Sequence, residues 1–134
     1  MDATKDGAAL AGRILLATLF AMSGIGKIGG FAGTAAYMTS KGLPVAELLL
    51  LATIVVELGG GIAIVAGWKT RWAAIALFLF TGIATAVFHN FWAAPADQAQ
   101  LEQIQFLKNL AIMGGLLVLF GMGPGRFAMD RGTA

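Results

Sequence analysis

A few side chains break an otherwise apolar sequence, and they are the ones able to do chemistry: Arg13, Lys27, Glu57, His89 and Lys108, with Asn90 and Asn109 beside the last two. Glu57 stands near the middle of an apolar run, within Val56-Glu57-Leu58-Gly59-Gly60-Gly61. A carboxylate so far from water either takes up a proton or finds a cation. Arg13 is the expected cation. On a helical rise of about 1.5 Å per residue it stands about 8 Å inside one end of its own run, and Glu57 about 15 Å from the same end of the next. An arginine bridges the remaining gap if the two helices are neighbours. Gly59, Ala63 and Gly67 form a stripe of small residues that permits close approach. The Arg13–Glu57 pair reads either as a structural ion pair that fixes helix register or as a site that handles a proton or meets a ligand.

Lys27, His89 and Lys108, with Asn109, fall within about two turns of the opposite ends of their runs. Together they could line one outward-facing pocket. Two cations, an imidazole and amides suit an anionic or carbonyl-bearing ligand, such as a quinone head group or a small oxyanion. The alternative is that the lysines extend to the lipid head groups. His89 is the sole histidine, so a haem held by two histidines cannot be built from one chain. Hydrogen bonding to a neighbour or a ligand is the expected role of His89, and no metal site is expected. Met22, Met38 and Met113 read as packing residues. Ser-His-Asp sets, zinc-protease motifs and phosphate-binding loops are absent.

The elements that must hold these residues are long apolar segments. Of the chain, 58% is hydrophobic and 12% charged, against about 25% charged in a soluble domain. Mean hydropathy is +0.82. A surface of that composition needs lipid as its solvent. Four runs, at roughly 8–28, 45–67, 72–92 and 106–123, are each long enough to cross a bilayer. Each is continuously apolar rather than alternating, which argues for helices over a barrel. The expected fold is an all-α integral membrane bundle of four helices with up-down topology, a single domain over 1–134.

The links differ in character. Gly29 to Pro44 is long enough to hold a short interfacial helix, and Trp68-Lys69-Thr70-Arg71 is a tight basic turn. Ala93 to Gln105 is the most polar stretch and reads as a loop, while Pro124 ends the last run. The first run resembles a signal peptide loosely, but no clean small-x-small site follows it and Lys27 occupies the cleavage region, so it is expected to stay. Lys5, Lys69, Arg71, Arg126 and Arg131 fall at one end, and the positive-inside rule then places both termini in the cytoplasm. The nine basic residues form no stripe, so nucleic acid is not an expected partner. Zero cysteines exclude disulfide, iron–sulfur and zinc-thiolate chemistry within the chain.

Several of these segments together resemble the DoxX family. Arg13 followed by an apolar run with Phe20 and then Ser23-Gly-Ile-Gly-Lys27 is similar to its first helix. The similarity continues through Gly42-Leu-Pro44, Glu57-Leu-Gly-Gly-Gly61, His89-Asn-Phe-Trp92 and Gln105-Phe-Leu-Lys108-Asn109-Leu. The resemblance implies a multi-pass protein of the bacterial inner membrane with four helices. It also implies kinship with subunits of quinone-linked oxidoreductases. The expected function is an accessory or quinone-linked subunit of a membrane oxidoreductase complex, with no covalently bound cofactor, a quinone as ligand and a redox protein as partner. Two alternatives stand beside it: a non-catalytic scaffold or assembly factor, and a component of a small proton or solute transporter, which would need to form a homo-oligomer.

Overall fold

The computed structural model describes residues 2–130; Arg131, counted above among the basic residues at one end, lies outside the described residues. These residues form helices α1 (Ala3–Gly29), α2 (Phe31–Ser40), α3 (Ala46–Ala66), α4 (Thr70–Phe88) and α5 (Ala99–Met122), with a 3-10 turn at Phe91–Ala93 between the last two. Four of the helices are long and apolar enough to cross a membrane. α2 lies in the Gly29–Pro44 link, at the end of the bundle away from the termini. Extensive packing joins α1 to α3 and α4 to α5, α3 touches α4, and α1 meets α5 only sparsely.

Glycine sets how closely the helices approach. Gly61 lies where a Cβ would sit 3.4 Å from the Ala17 carbonyl oxygen, and a Cβ on Gly24 would press on the Leu58 side chain at 2.8 Å. Both hold α1 against α3. A Cβ on Gly60 would meet Leu77 of α4 at 2.9 Å. Of the small stripe that the sequence predicts, Gly59 faces open space, whereas Ala63 is buried and Gly67 is closely packed. In the core beside these contacts, Ala17, Phe20, Ile64, Leu77 and Leu116 are buried together.

α5 begins at Ala99, well before the expected start near 106. The polarity of this stretch predicts a loop, but Ala, Gln, Leu and Glu are good helix formers. At 24 residues, α5 is about 36 Å long, more than the roughly 30 Å of hydrocarbon. Its Gln- and Glu-rich first turns therefore extend towards the head groups.

Arg13 is where the structure departs most from the expectation. Its guanidinium does not pair with Glu57. The side chain is fully buried, and Nη1 donates to the carbonyls of Ile64 (3.2 Å) and Val65 (3.1 Å) at the end of α3. Nη2 donates to the carbonyl of Phe127. The last carbonyls of a helix have no partner within it and carry partial negative charge, so they attract a cation. No periodicity or motif signals that residues 123–130 turn back over this helix end.

That returning segment closes the end of the bundle that carries the termini. Met129 N–H donates to Ala66 O (3.0 Å) and Asp130 N–H to Gly67 O (2.7 Å). The Asp130 carboxylate accepts from the backbone of Lys69 (2.7 Å) and Thr70 (2.9 Å), capping the start of α4 from a distant part of the chain. Asp6, buried on α1, accepts from Arg126 N–H at 3.0 Å. Gly67 has φ +69, and a Cβ there would collide with Ala128 Cβ and lie 2.6 Å from Arg13 Nη1.

Burial pushes the Asp130 carboxyl up. Hydrogen bonds from Thr70 and Lys69, with the Arg13 guanidinium nearby, outweigh that and hold it below its ordinary value. A carboxyl depressed in the folded state stabilises it above the unfolded value, near 3.8, and that contribution is lost as pH falls through the folded value. Acidification below about pH 4 is thus expected to loosen the returning segment, read from the fluorescence of Trp68 and Trp72 at this end, and Asp130→Asn should abolish that acid transition. Arg13→Met strands the Val65 and Phe127 carbonyls, Ile64 O still accepting from Gly67 N–H, and is expected to cost about 2–3 kcal/mol, seen as a lower melting temperature in detergent. A melt matching wild type would refute the role given to Arg13.

Candidate functional site

Polar residues from all five helices meet in one cavity of about 330 Å³. α1, α2 and α3 each present two polar groups one turn apart, and α4 and α5 one each. Ser23 and Lys27 come from α1, Thr53 and Glu57 from α3, and Thr81 from α4, with His89 just beyond its end. α5 brings Asn109, and α2 brings Thr34 and Tyr37. Leu19, Phe20, Phe80, Phe88 and Ile112 supply apolar walls. A mostly apolar hollow with a few convergent polar groups is the usual form of a small-molecule site.

Glu57 is buried, and its Oε1 lies 2.7 Å from Lys27 Nζ. The contact is close without the alignment of a hydrogen bond at Oε1, so charge attraction rather than a directed bond holds it. Lys27 Nζ instead donates to Ser23 Oγ at 2.7 Å. The cation that Glu57 requires is thus Lys27, not Arg13. Lys27 lies later on α1, and α1 runs antiparallel to α3, which brings it level with Glu57.

On the α4 side, Asn109 Nδ2 donates to Thr85 Oγ1 (2.9 Å), and that hydroxyl donates to the Thr81 carbonyl (2.6 Å). The Thr81 hydroxyl oxygen, by contrast, is buried without a hydrogen-bond partner among the described residues. At the mouth, His89 Nδ1 and Glu102 Oε2 are 2.7 Å apart, each about a quarter exposed. Phe91, Trp92 and Phe106 stack edge to face beside them. Among the described residues no cluster of His, Asp and Glu could hold a metal ion.

Of the residues expected to form a pocket, Lys27, His89 and Asn109 line this cavity. Lys108 does not: it is exposed on the outer face of α5, since its neighbour Asn109 takes the inward position and successive helical residues point about 100° apart. Asn90, also singled out, is not among the lining residues. Sequence reasoning missed Ser23, Thr53, Thr81 and Glu102. The signal was a four-residue period: Ser23/Lys27, Thr53/Glu57 and Thr81/Thr85/His89 each mark one polar face. Glu102 would have joined Asn109 in the same way had Ala99–Gln105 been read as helix.

The DoxX family model matches residues 8–90, which takes in α4 and most of α1. The inner membrane protein YqjF of Escherichia coli (strain K12) is 39% identical over 131 residues, covering 98% of this chain and 95% of that protein. Inner membrane protein YphA of the same organism is 38% identical over 123 residues, 91% of this chain and 87% of that protein. A Surfeit locus protein 4 homolog of Schizosaccharomyces pombe is 33% identical over 69 residues, 50% of this chain and 23% of that protein. No solved structure matches. With the family model spanning most of the chain, near full-length likeness to two inner membrane proteins and four candidate spans, the chain belongs to the DoxX family and is a multi-pass protein of the inner membrane.

Proposed function

We propose that the cavity binds the head group of a quinone and that the chain serves as the membrane subunit of an oxidoreductase complex. The observation that carries this reading is the buried, unpartnered Thr81 hydroxyl in the same hollow as Lys27 and Asn109. A buried hydroxyl with no partner is costly unless a ligand supplies one. A quinone head group has an apolar ring and carbonyl oxygens, which suits apolar walls with a few donors. Its bound form would supply the two-electron, two-proton chemistry.

The residues of the chain divide the remaining tasks. Thr81 and Lys27 donate to ligand oxygen. Phe20, Phe80 and Phe88 exclude water and hold the ring. Glu57 keeps Lys27 in place and neutralises it in a medium where a lone charge is expensive. His89, bonded to Glu102 at the mouth, is placed to pass protons between the cavity and the surface. Electrons would come from a partner protein, since the chain has no cysteine to hold an iron–sulfur cluster. With the termini in the cytoplasm, as the basic residues at that end favour, the mouth lies on the periplasmic side.

Protein purified in mild detergent from its native membranes is expected to carry extractable quinone above an unrelated four-helix membrane protein. Lys27→Met should lower retained quinone at least about tenfold, as loss of a charged hydrogen bond of roughly 1.5 kcal/mol implies, while Lys108→Ala leaves it unchanged. Quinone no higher than the control would sink the reading.

The mutual neutralisation of Lys27 and Glu57 favours a second reading, a scaffold in which the pair only fixes helix register. The double variant Lys27→Met/Glu57→Gln separates the two. It should melt closer to wild type than Lys27→Met alone, because no uncompensated charge remains. The scaffold reading requires it to keep full activity of the assembled complex, and the quinone reading requires it to lose quinone.

A further inference from the structure

A second hollow lies outside the polar cavity, in the cleft where α1 and α5 meet only sparsely. It is an open apolar groove of about 670 Å³. Its walls include Ala8, Gly12 and Leu16 of α1 and Gly115, Leu119 and Met122 of α5. Leu19 and Ile112 line both the groove and the polar cavity. The two hollows therefore share a wall at these two side chains, with the polar groups of the cavity on one side and an apolar groove on the other.

We propose that the ligand of this protein is a long-tailed amphiphile, whose head occupies the polar cavity and whose tail lies in the α1–α5 groove. The inference rests on the head-group reading above and specifies what that reading leaves open, namely how the ligand enters and what part of it is recognised. From Leu19 to Ala8 along α1, and from Ile112 to Gly123 along α5, the groove extends about 16 Å, long enough for an extended alkyl or isoprenoid chain. Two glycines keep it open. A Cβ on Gly12 would have no neighbour within 4 Å, and one on Gly115 would meet only Leu16 Cδ2 at 3.7 Å. Neither glycine is required by backbone conformation, since both lie inside helices without positive φ. The groove opens towards lipid, as a ligand arriving from within the bilayer requires, whereas a water-soluble ligand would need only the mouth beside His89 and Glu102.

The test compares the binding of a tail-less benzoquinone and its decyl-tailed counterpart to wild type, Gly12→Leu, Gly115→Leu and Lys27→Met in the same detergent. Leucine at either glycine fills the groove and favours the helix over glycine; tail-less binding also reports that each variant has folded. Wild type should bind the decyl quinone at least about tenfold more tightly than the tail-less one, as several buried methylenes allow. Gly12→Leu and Gly115→Leu should each lose most of that gain with tail-less binding unchanged, and Lys27→Met should weaken both ligands alike. Partition of the tail into detergent is common to all four proteins and cannot produce the difference. If the tail's gain is the same in both leucine variants as in wild type, the tail lies in the surrounding lipid; the inference is then overturned while the head-group reading stands. Failure of wild type to bind either quinone would overturn both.

Discussion

Inside a bilayer no water is available to complete the hydrogen bonding of a stray polar group. In this chain that constraint reaches furthest at Arg13. Its guanidinium is fully buried and serves three backbone carbonyls from two parts of the chain. The end of α3, the direction of the returning segment and the cap on α4 are all fixed around it. Gly67 must be glycine there for two reasons at once, its left-handed backbone and the nearness of Ala128 and Arg13. One cation thus joins α1, α3 and the segment after α5, and the bundle closes at this end without a large core to do it.

The opposite half obeys the same constraint differently. Instead of one cation satisfied by backbone, polar groups from the four spanning helices and α2 face a common cavity. Lys27 and Glu57 neutralise each other, Asn109 is held through Thr85, and His89 through Glu102. Thr81 Oγ1 is left without a hydrogen bond among the described residues, and Glu57 Oε1 is held by charge alone. Sealing one end and leaving a partly satisfied hollow at the other gives the molecule a structural pole and a chemical one. The family model ends at residue 90, so α5, which contributes Asn109 and Glu102 and one wall of the groove, lies beyond it. The near full-length likeness to YqjF includes that helix.

Close helix approach makes the small cavity workable. Between α1 and α3, and between α3 and α4, glycine removes the side chain at the crossing, so Lys27 and Glu57 come within reach of one another. Between α1 and α5 the glycines face a gap instead. The same residue type therefore does opposite things in different helix pairs: it brings backbones together in one and leaves lipid-accessible space in the other.

Composition and the length of its apolar runs alone determined that the chain is a four-span helical membrane protein, because the energetic demands of hydrocarbon on backbone and side chains are severe and local. Sequence also singled out Lys27, Glu57, His89 and Asn109, since a polar residue in an apolar run stands out whatever it contacts. It could not say which cation meets Glu57. Depth along a helix is legible from spacing, but facing is decided by how helices rotate against one another, and Arg13 was drawn away by carbonyls and a returning segment that no periodicity announces. Lys108 and Asn109 are adjacent in sequence, yet only tertiary packing turned one to the exterior and the other to the cavity. Polarity hides the start of α5, because a membrane helix longer than the hydrocarbon is polar where it emerges. The cavity and its abutting groove are properties of five helices at once, and only the folded arrangement brought them into being.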